Sequence, residues 1–328
     1  MHKGLESVSM FGVLPGEWSR HRGAGVSAVL GQRVDDVVSP PAAAAPAELS
    51  SKRRARRLLL SNRTATVSLA VLLLIGLIAI AAPLIYPANP QDMVGQAFIW
   101  PGQNPDFLFG TDALGRDVAA GLVYGARVSL LVGVVAAGIG VGLGVAAGAV
   151  AGYFGGVVED VLMRLVEVME TLPNFVVLVV LVAIITPSIG VVSLTIGLIS
   201  WAPMARLVRG EFRSLREKDF VTAARGAGFG HLRIAFREIL PNALPPVVVM
   251  SSVMAASAIL MEAALSFMGL GDPNVISWGT MIGAGREALR TAWYLTAIPG
   301  LAIVITVLAL NLVGDGLNDA LNPRFTRD

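Results

Sequence analysis

The residue types that usually carry catalysis are scarce in this sequence. Cysteine is absent, histidine occurs three times, and the few lysines lie far apart, at Lys3, Lys52 and Lys218. The absence of cysteine excludes a disulfide framework and a thiolate zinc site, and the histidines show no helical pairing typical of a metal site. Neither a Gly-x-x-x-x-Gly-Lys-Ser/Thr phosphate loop nor a Gly-x-Ser-x-Gly elbow occurs. We expect no catalytic residue, no metal and no cofactor on this chain.

One carboxylate lies deep in an apolar run. Glu262 stands in the stretch ILMEAALSFMGLG, where an ionised carboxylate is costly unless it faces protein, water or a partner. Two roles fit it: a pathway or gating residue, or a structural carboxylate paired across helices, with Arg164 as the candidate partner. A proton-coupled carrier would need such acids, and Glu262 is the only one deep in a predicted span.

The elements that position these residues are predicted to be membrane helices. The chain has 328 residues, of which 55% are hydrophobic and 15% charged, and its mean hydropathy is +0.70. Soluble domains carry about a quarter charged residues. The net charge is +2, and the basic residues cluster beside apolar runs, which favours a membrane surface over nucleic acid.

Six apolar stretches are each long enough to cross a hydrocarbon core of about 30 Å as a helix. The third is the least regular, because Arg164, Glu167 and Glu170 occupy its first turns and Pro173 would kink it. We therefore predict an all-α integral membrane protein with six transmembrane helices. Their approximate bounds are 64–86, 128–152, 161–185, 189–208, 245–268 and 293–313.

The first 57 residues are predicted to be a mobile tail, followed by a membrane domain over 58–328. The tail contains SPPAAAAPAELS, lacks a sustained hydrophobic period and ends in KRRARR. A nuclear-localisation or nucleic-acid patch has a similar composition, but a basic run directly before an apolar helix is typical of a cytoplasmic membrane anchor. A signal peptide is not expected, since the first long apolar run begins after residue 60.

Two sequence patterns indicate how the helices are oriented and packed. Lysine and arginine concentrate before the first span and in the 209–241 loop, so the positive-inside rule places that loop and both termini in the cytoplasm. Small residues at four-residue spacing in the second span predict a face that another helix approaches closely. They are Gly140, Gly144, Gly148 and Gly152.

The 209–241 loop is predicted to form a helix, a tight turn and a second helix. Residues 213–227 have high helix propensity, Gly228 and Gly230 interrupt, and HLRIAFREILP leads to Pro241. Such a helix suits docking into a groove of another protein, whereas a helix lying on anionic lipid normally has a bulkier apolar face. The small apolar face comprises Phe220, Ala223, Ala224 and Ala227.

The spacing of this loop resembles the cytoplasmic signature of permease subunits of bacterial ABC importers: Glu-Ala-Ala, three residues, Gly, then about a dozen residues to Leu-Pro. Here Thr222 replaces the acid, and Ala223, Ala224, Gly228, Leu240 and Pro241 are in register. The stretches LFGTDALGRDVAAGLVYGARVSLLVG, ILPNALPP, EAALSFMGLG, SWGTMI and LNPR are similar to the second, C-type permease of dipeptide and oligopeptide importers. The resemblance covers about residues 58–328.

This resemblance implies the type I importer transmembrane domain, with a first helix around a five-helix core and a cytoplasmic coupling helix that fits a cleft of an ATPase. Gly228 would allow a sharp turn, and Pro241 would fix where the fifth span begins. Thr222 puts in doubt the salt bridge of the family acid. The implied coupling residues are Phe220, Thr222, Ala223, Ala224, Arg225, Ala227, Gly228, Leu240 and Pro241.

The resemblance also implies an outer-loop motif and a set of partners. The partners are a homologous permease, two ATPase subunits or a fused ATPase that bind ATP and Mg, an extracytoplasmic binding protein, membrane lipid and a peptide, at a bacterial plasma membrane. Nickel or another small solute is the alternative cargo. A secondary transporter would show inverted repeats, which the sequence lacks, and no motif favours a membrane enzyme. The motif that would organise the outer loop is Gly110, Thr111, Asp112, Gly115, Arg116 and Asp117.

Overall fold

The computed structural model describes residues 62–321, so the predicted tail over 1–57 lies outside the described residues. Within them the chain forms ten helices and a short 3₁₀ turn, Arg286–Ala288. The helices are α1 Arg63–Ile85, α2 Val118–Phe154, α3 Gly156–Thr171, α4 Asn174–Ile184, α5 Ile189–Ile199, α6 Trp201–Arg216, α7 Asp219–Gly226, α8 His231–Phe267, α9 Trp278–Gly285 and α10 Tyr294–Leu321.

Short polar side chains set where several helices begin. The side chains of Asn62, Asp117 and Ser188 accept backbone N–H groups at the starts of α1, α2 and α5. Ser277 and Thr280 form a reciprocal capping box at the start of α9. Each cap satisfies donors that the first helical turn leaves unpaired.

The helices agree in number with six predicted spans when bent pairs are counted together. α1, α2, α8 and α10 are each long and apolar enough to cross a membrane. α3 and α4 meet at an angle of 82°, and α5 and α6 at 41°. The first of these breaks lies at Pro173, where the sequence predicted a kink within one helix. Two separate helices form there instead, because Pro173 has extended backbone and caps α4.

Two long helices begin earlier than the hydrophobic pattern indicated. α2 begins at Val118, well before residue 128, because Asp117 caps it there. α8 begins at His231 and runs through Pro241, so Pro241 does not mark the start of the fifth helix. Within α8, a π-helical turn over Ile234–Ile239 ends two residues before Pro241. The wider turn fits a residue that has no N–H to donate and whose ring crowds the preceding carbonyl groups.

The predicted glycine face of α2 is confirmed by its packing on α6. A Cβ atom at Gly144 would lie 2.5 Å from Met204 Cβ, and one at Gly148 would overlap the carbonyl oxygen of Ala205. The two backbones therefore touch, which only glycine permits at these positions. In a membrane, where lipid tails are as apolar as the side chains, this close packing supplies much of the attraction between helices.

α1 lies at the periphery, beside α2 and α10. Its outward side is strongly exposed and apolar, with Leu77 at 64%, Ile80 at 77% and Leu84 at 84% exposure. A continuous apolar face of this kind is stable in contact with lipid or with another membrane protein.

Candidate functional site

The polar segment between the fourth and fifth spans, residues 209–241, is called the polar hairpin. α6 continues into it from the fourth span and ends at Arg216. Lys218 then takes extended backbone and precedes α7, which has eight residues. The helix predicted over 213–227 is thus two helices, because the extended backbone at Lys218 interrupts the helical hydrogen bonds.

Gly228 makes the turn that leads from α7 to α8. Its φ of 78° is in the left-handed region, and its N–H donates to the carbonyl of Arg225 at 3.0 Å. The following N–H, of Phe229, donates to the carbonyl of Ala224 at 3.1 Å. No heavy atom lies within 4 Å of a Cβ built on Gly228. Glycine is therefore required here for its backbone conformation and not for lack of space.

One face of α7 belongs to the core of the chain itself. Val221 is 0% and Ala224 6% exposed, and they share a core cluster with Phe212, Ile234 and Ile239. Ala224 therefore departs from the predicted docking face, because it packs inward. Val221 was not among the residues predicted for either face of this helix. Its three-residue spacing from Ala224 is visible in the sequence, but Phe220 and Ala223 have the same spacing, and only packing decides which pair is inside.

The opposite face of the polar hairpin is open. Phe220 is 39% exposed and is the largest apolar side chain on the outer side of α7. Leu240 is partly buried at the start of the regular part of α8. The other predicted coupling residues are exposed: Thr222, Ala223, Arg225, Ala227, Gly228 and Pro241.

Thr222 lies in a pocket, here called the arginine pocket, between the end of α2, the α6–α7 junction and the start of α8. The hydroxyl of Tyr153 and Nδ1 of His231 are hydrogen-bonded at 2.9 Å, and Arg216 Nη1 donates to the carbonyl of Tyr153 at 3.1 Å. No residue of the described range 62–321 is hydrogen-bonded to the Thr222 side chain. The lining residues are Tyr153, Phe154, Arg216, Glu217, Thr222, Arg225 and His231.

Tyr153 and His231 were not among the sequence-predicted site residues. They are separated by 78 positions along the chain, and neither stands in a pattern that links it to the other. The contact arises because α2 ends at Phe154 beside the point where α8 begins.

A second charged cluster joins α3 to α6. Arg209 Nε donates to Glu159 Oε1 at 2.6 Å, and Arg213 Nη1 lies 3.7 Å from the same oxygen. Arg206 pairs with Glu170 one helical turn earlier on α6. These pairs flank the contact between α3 and α6, in which Val166 of α3 packs on Ala202 and Ala205 of α6.

Glu262 is buried, and its partners differ from the predicted one. Its Oε1 accepts a hydrogen bond from Ser266 Oγ at 2.7 Å, and its Oε2 accepts one from Ser129 Oγ at 3.3 Å. Ser129 Oγ also accepts the N–H of Trp278 at 3.3 Å. The predicted pairing with Arg164 is wrong, because Arg164 lies on α3 in a groove with Glu159 and Arg209. The acid instead links α2, α8 and the start of α9.

The loop between α1 and α2, residues 86–117, is called the cap loop, and the predicted outer motif forms its interior. Thr111 is completely buried. Its hydroxyl donates to the carbonyl of Gln96 at 2.5 Å and accepts the N–H of Ile99 at 2.9 Å. The Tyr294 hydroxyl donates to the carbonyls of Thr111 and Ile99, at 2.8 and 3.0 Å. The loop is thereby tied to the start of α10.

The rest of the outer motif also makes contacts within the loop. Asp112 Oδ1 accepts the N–H groups of Leu114 and Arg116, both at 2.8 Å. Gly110 and Gly115 both have a φ of 76°, and a Cβ at either position would overlap a backbone carbonyl oxygen. These contacts fix the path of the loop without any partner.

Asp117 closes the motif by capping α2, with its Oδ1 accepting the N–H of Ala119 at 2.8 Å. Burial raises the pKa of the Asp117 carboxyl above its usual range, although its backbone hydrogen bonds act in the opposite direction. Next to it, Arg116 Nε is buried and has no hydrogen-bond partner among residues 62–321.

Two family descriptions match the chain. Residues 144–327 match the binding-protein-dependent transport system inner membrane component, and residues 50–104 match the N-terminal transmembrane domain of oligopeptide transport permease C. The chain belongs to the binding-protein-dependent transport permeases. This permease is therefore a multi-pass membrane protein of a family of transport subunits.

Similar curated proteins cover most of this permease. The dipeptide transport system permease protein DppC of Haemophilus influenzae is 38% identical over 270 residues, which is 80% of this chain and 92% of the relative. DppC of Escherichia coli is 43% identical, with coverage of 80% and 90%. The oligopeptide transport system permease protein OppC of Escherichia coli is 42% identical over 268 residues, with coverage of 80% and 88%.

A solved structure shares the fold. A chain of the MetNI methionine ABC transporter, in an inward-facing conformation, superposes with a TM-score of 0.51 over 62% of this permease and 96% of that chain, at 18% sequence identity. At that identity the likeness shows the fold alone. This permease has the transmembrane fold of a type I ABC importer, as the sequence resemblance predicted.

Proposed function

We propose that this permease is the transmembrane subunit of an ATP-driven importer that takes up dipeptides or oligopeptides. One observation carries the proposal: the relatives with 38–43% identity over 80% of the chain are named as permeases for dipeptide and oligopeptide transport. Proteins this similar over this length share their fold. The polar hairpin lies within residues 144–327, the range that matches the family description.

The proposed assembly contains a homologous permease, two ATPase subunits or one fused ATPase, and an extracytoplasmic substrate-binding protein. ATP and Mg would be bound by the ATPase subunits, since this sequence has no phosphate-binding loop. The peptide would pass between the two permeases. The charge distribution supports a cytoplasmic polar hairpin and cytoplasmic termini, with the cap loop on the outer side.

The packing of α7 supports a role in coupling. Val221 and Ala224 fix the inner face of α7 against Phe212 of α6 and Ile239 of α8. A displacement of α7 would therefore move the ends of two spans together, because a close-packed contact transmits motion with little compression. In the proposed cycle, closure of the ATPase subunits on ATP pushes on the exposed face of α7 and switches the permease pair from inward-facing to outward-facing.

Glu262 is proposed to be structural. Its carboxylate holds Ser129 of α2 and Ser266 of α8 within one buried cluster, and Ser129 in turn accepts the first N–H of α9. A buried acid with these hydrogen bonds stabilises a fixed arrangement of three helices. A gating role would instead require that these contacts break during transport.

The proposed function is tested by reconstitution. The permease, its homologous permease, the ATPase subunits and the binding protein are placed in liposomes, and uptake of labelled dipeptides, a labelled pentapeptide and nickel is measured. We expect peptide uptake that requires ATP, Mg and the binding protein. Nickel uptake without peptide uptake would assign the alternative cargo. Uptake driven by a proton gradient without ATP would overturn the ABC mechanism in favour of a secondary transporter.

A further inference from the structure

The described arginines of α6 and α7 form two groups that differ in their partners. Arg206, Arg209 and Arg213 each pair with a carboxylate of α3. Arg216 and Arg225, in contrast, have no carboxylate oxygen within 4.0 Å in the part of the chain between residues 62 and 321. The Arg225 guanidinium and the N–H groups of Arg216 other than that of Nη1, which donates to the Tyr153 carbonyl, therefore remain available to an outside partner.

These two arginines converge on one pocket. Both line the arginine pocket beside Thr222 and His231, and Glu217 is its single acidic lining residue. Thr222 contributes a hydroxyl and no charge, so the pocket has an excess of positive charge. An arginine guanidinium binds a carboxylate through two parallel hydrogen bonds, and a neighbouring hydroxyl can donate a third.

One side of the arginine pocket is held by contacts within the chain. Arg216 is fixed by the carbonyl of Tyr153 at 3.1 Å, and the His231 ring by the Tyr153 hydroxyl at 2.9 Å. The rings of Tyr153 and Phe154 pack edge to face, with centroids 5.2 Å apart. Arg216 and His231 therefore lose little conformational entropy when a ligand enters.

We propose that the arginine pocket receives an acidic side chain, Asp or Glu, of the partner ATPase subunit. This inference rests on the proposed function, in which α7 meets that subunit. It adds that the ATPase supplies the negative charge and the permease the positive charge at this contact. The missing acid at Thr222 then has a physical consequence, because an acid at that position would neutralise the pocket from within the chain.

A membrane surface is a poorer occupant of the same pocket. Thr222 and Arg225 lie on α7, outside the helices that could cross a membrane. Val221 and Ala224 face the chain's own core, so Phe220 is the one large apolar side chain that α7 exposes. Helices that lie on lipid need a wider apolar face to be held there.

The first test reverses the charge of the pocket in the full complex. We expect Arg225→Glu to lower peptide uptake, and the amount of ATPase that copurifies with the tagged permease, at least tenfold. Thr222→Glu should act in the same direction, because it places a competing acid in the pocket. The matched control is Arg233→Glu, the same charge change on the same hairpin. Arg233 stacks on Phe229 at 3.8 Å and lies outside the pocket, so we expect less than a twofold change.

The second test identifies the partner acid. In the Arg225→Glu complex, each exposed Asp or Glu of the ATPase is replaced in turn by Arg, and uptake is measured. Recovery by one such reversal, to within threefold of the original complex, supports the proposal. Absence of recovery at every position would overturn it, as would an equal loss in Arg225→Glu and Arg233→Glu, which would indicate a diffuse basic surface.

The remaining outcomes separate this inference from the proposed function and from lipid binding. If the unaltered permease recovers no ATPase, the proposed function fails. If it recovers ATPase and Arg225→Glu recovers the same amount, only the pocket assignment fails. In that case, reduced binding of Arg225→Glu to phosphatidylglycerol vesicles would assign the pocket to a lipid phosphate. Copurification of the homologous permease with each variant verifies that it is folded.

Discussion

The cap loop and the polar hairpin both connect membrane helices, but their polar groups have different partners. In the cap loop, Thr111 is completely buried, and its hydroxyl makes two hydrogen bonds to the backbone of the same loop. In the polar hairpin, Thr222 is exposed, and Arg225 has no ion pair within the described part of the chain. The buried polar groups of the cap loop are paired within the described chain except for Arg116 Nε, whereas the polar hairpin leaves hydrogen-bonding groups and charges exposed.

This difference predicts that substitutions in the cap loop change the stability of the fold, and that substitutions in the polar hairpin change partner binding. Removing a contact from the cap loop should cost the permease folding free energy, because a buried donor or acceptor would be left unpaired. Removing an exposed group from the polar hairpin should leave the fold intact and alter only what the hairpin binds. Thermal unfolding in detergent and transport in liposomes measure these two effects independently.

The largest effect is expected from Gly110→Ala in the cap loop. The left-handed φ and the overlap of a new Cβ with the Ile99 carbonyl oxygen should destabilise the fold by at least about 3 kcal/mol. Gly102→Ala is the matched control, with a φ of 83° and no heavy atom within 4 Å, and should cost about 1 kcal/mol. The apparent Tm in detergent measures both. Equal shifts would show that the close approach at Gly110 is relieved by movement of the loop.

The next effect tests which face of α7 is inside. Ala224→Asp buries a carboxylate in an apolar cluster and should cost about 3 kcal/mol, with a lower apparent Tm and a reduced yield of folded permease. Ala223→Asp, one residue earlier and exposed, should leave Tm within about 1 °C and reduce ATPase recovery instead. A normal Tm for Ala224→Asp would contradict the inward packing of that residue.

The two threonines allow the comparison to be made with the same substitution. Thr111→Val leaves the N–H of Ile99 and the carbonyl of Gln96 without their hydroxyl partner, which should cost about 2 kcal/mol. Thr222→Val should change stability by less than about 0.5 kcal/mol. Urea or thermal unfolding of the two variants, measured under the same conditions, gives the difference. Similar losses would mean that Thr222 has a structural contact of its own.

The smallest effect is expected from Glu262→Gln. The amide oxygen can still accept from Ser266, and the amide N–H can donate to Ser129, so the cost should be below about 1 kcal/mol and transport should be nearly unchanged. Glu262→Leu is the contrasting variant, because it removes the acceptor to which both serine hydroxyls donate and should cost about 2 kcal/mol. Normal assembly of Glu262→Gln together with a large loss of uptake would favour a gating role.

Much of the fold was predictable because it depends on patterns along one helix. Hydrophobic length indicated the spans, and the spacing of Gly144 and Gly148 indicated the face of α2 on which another helix packs. The register of the Ala pair, Gly228 and the Leu-Pro pair carried the family resemblance. Each of these signals is local, since a helix repeats its faces every three to four residues wherever it lies.

The misassigned features depend on residues that are distant in sequence. Val221 and Phe220 each begin an apolar pair on α7, and the neighbouring helices decide that Val221 and Ala224 are buried. Glu262 offered a choice of partners, and the fold supplied Ser129, 133 positions earlier in the chain, in place of Arg164.

Composition and helical period indicated a membrane protein with six spans and a polar hairpin, because they encode solvent and local shape, and the register of the hairpin residues added the resemblance to importer permeases. Tertiary structure alone decided which polar groups of that permease are satisfied. Thr111 and Thr222 have the same side chain, yet packing places one inside a hydrogen-bond network and the other in a pocket whose arginines have no ion pair among residues 62–321. The energy of a polar group depends on its neighbours in space, and those neighbours are set by the fold.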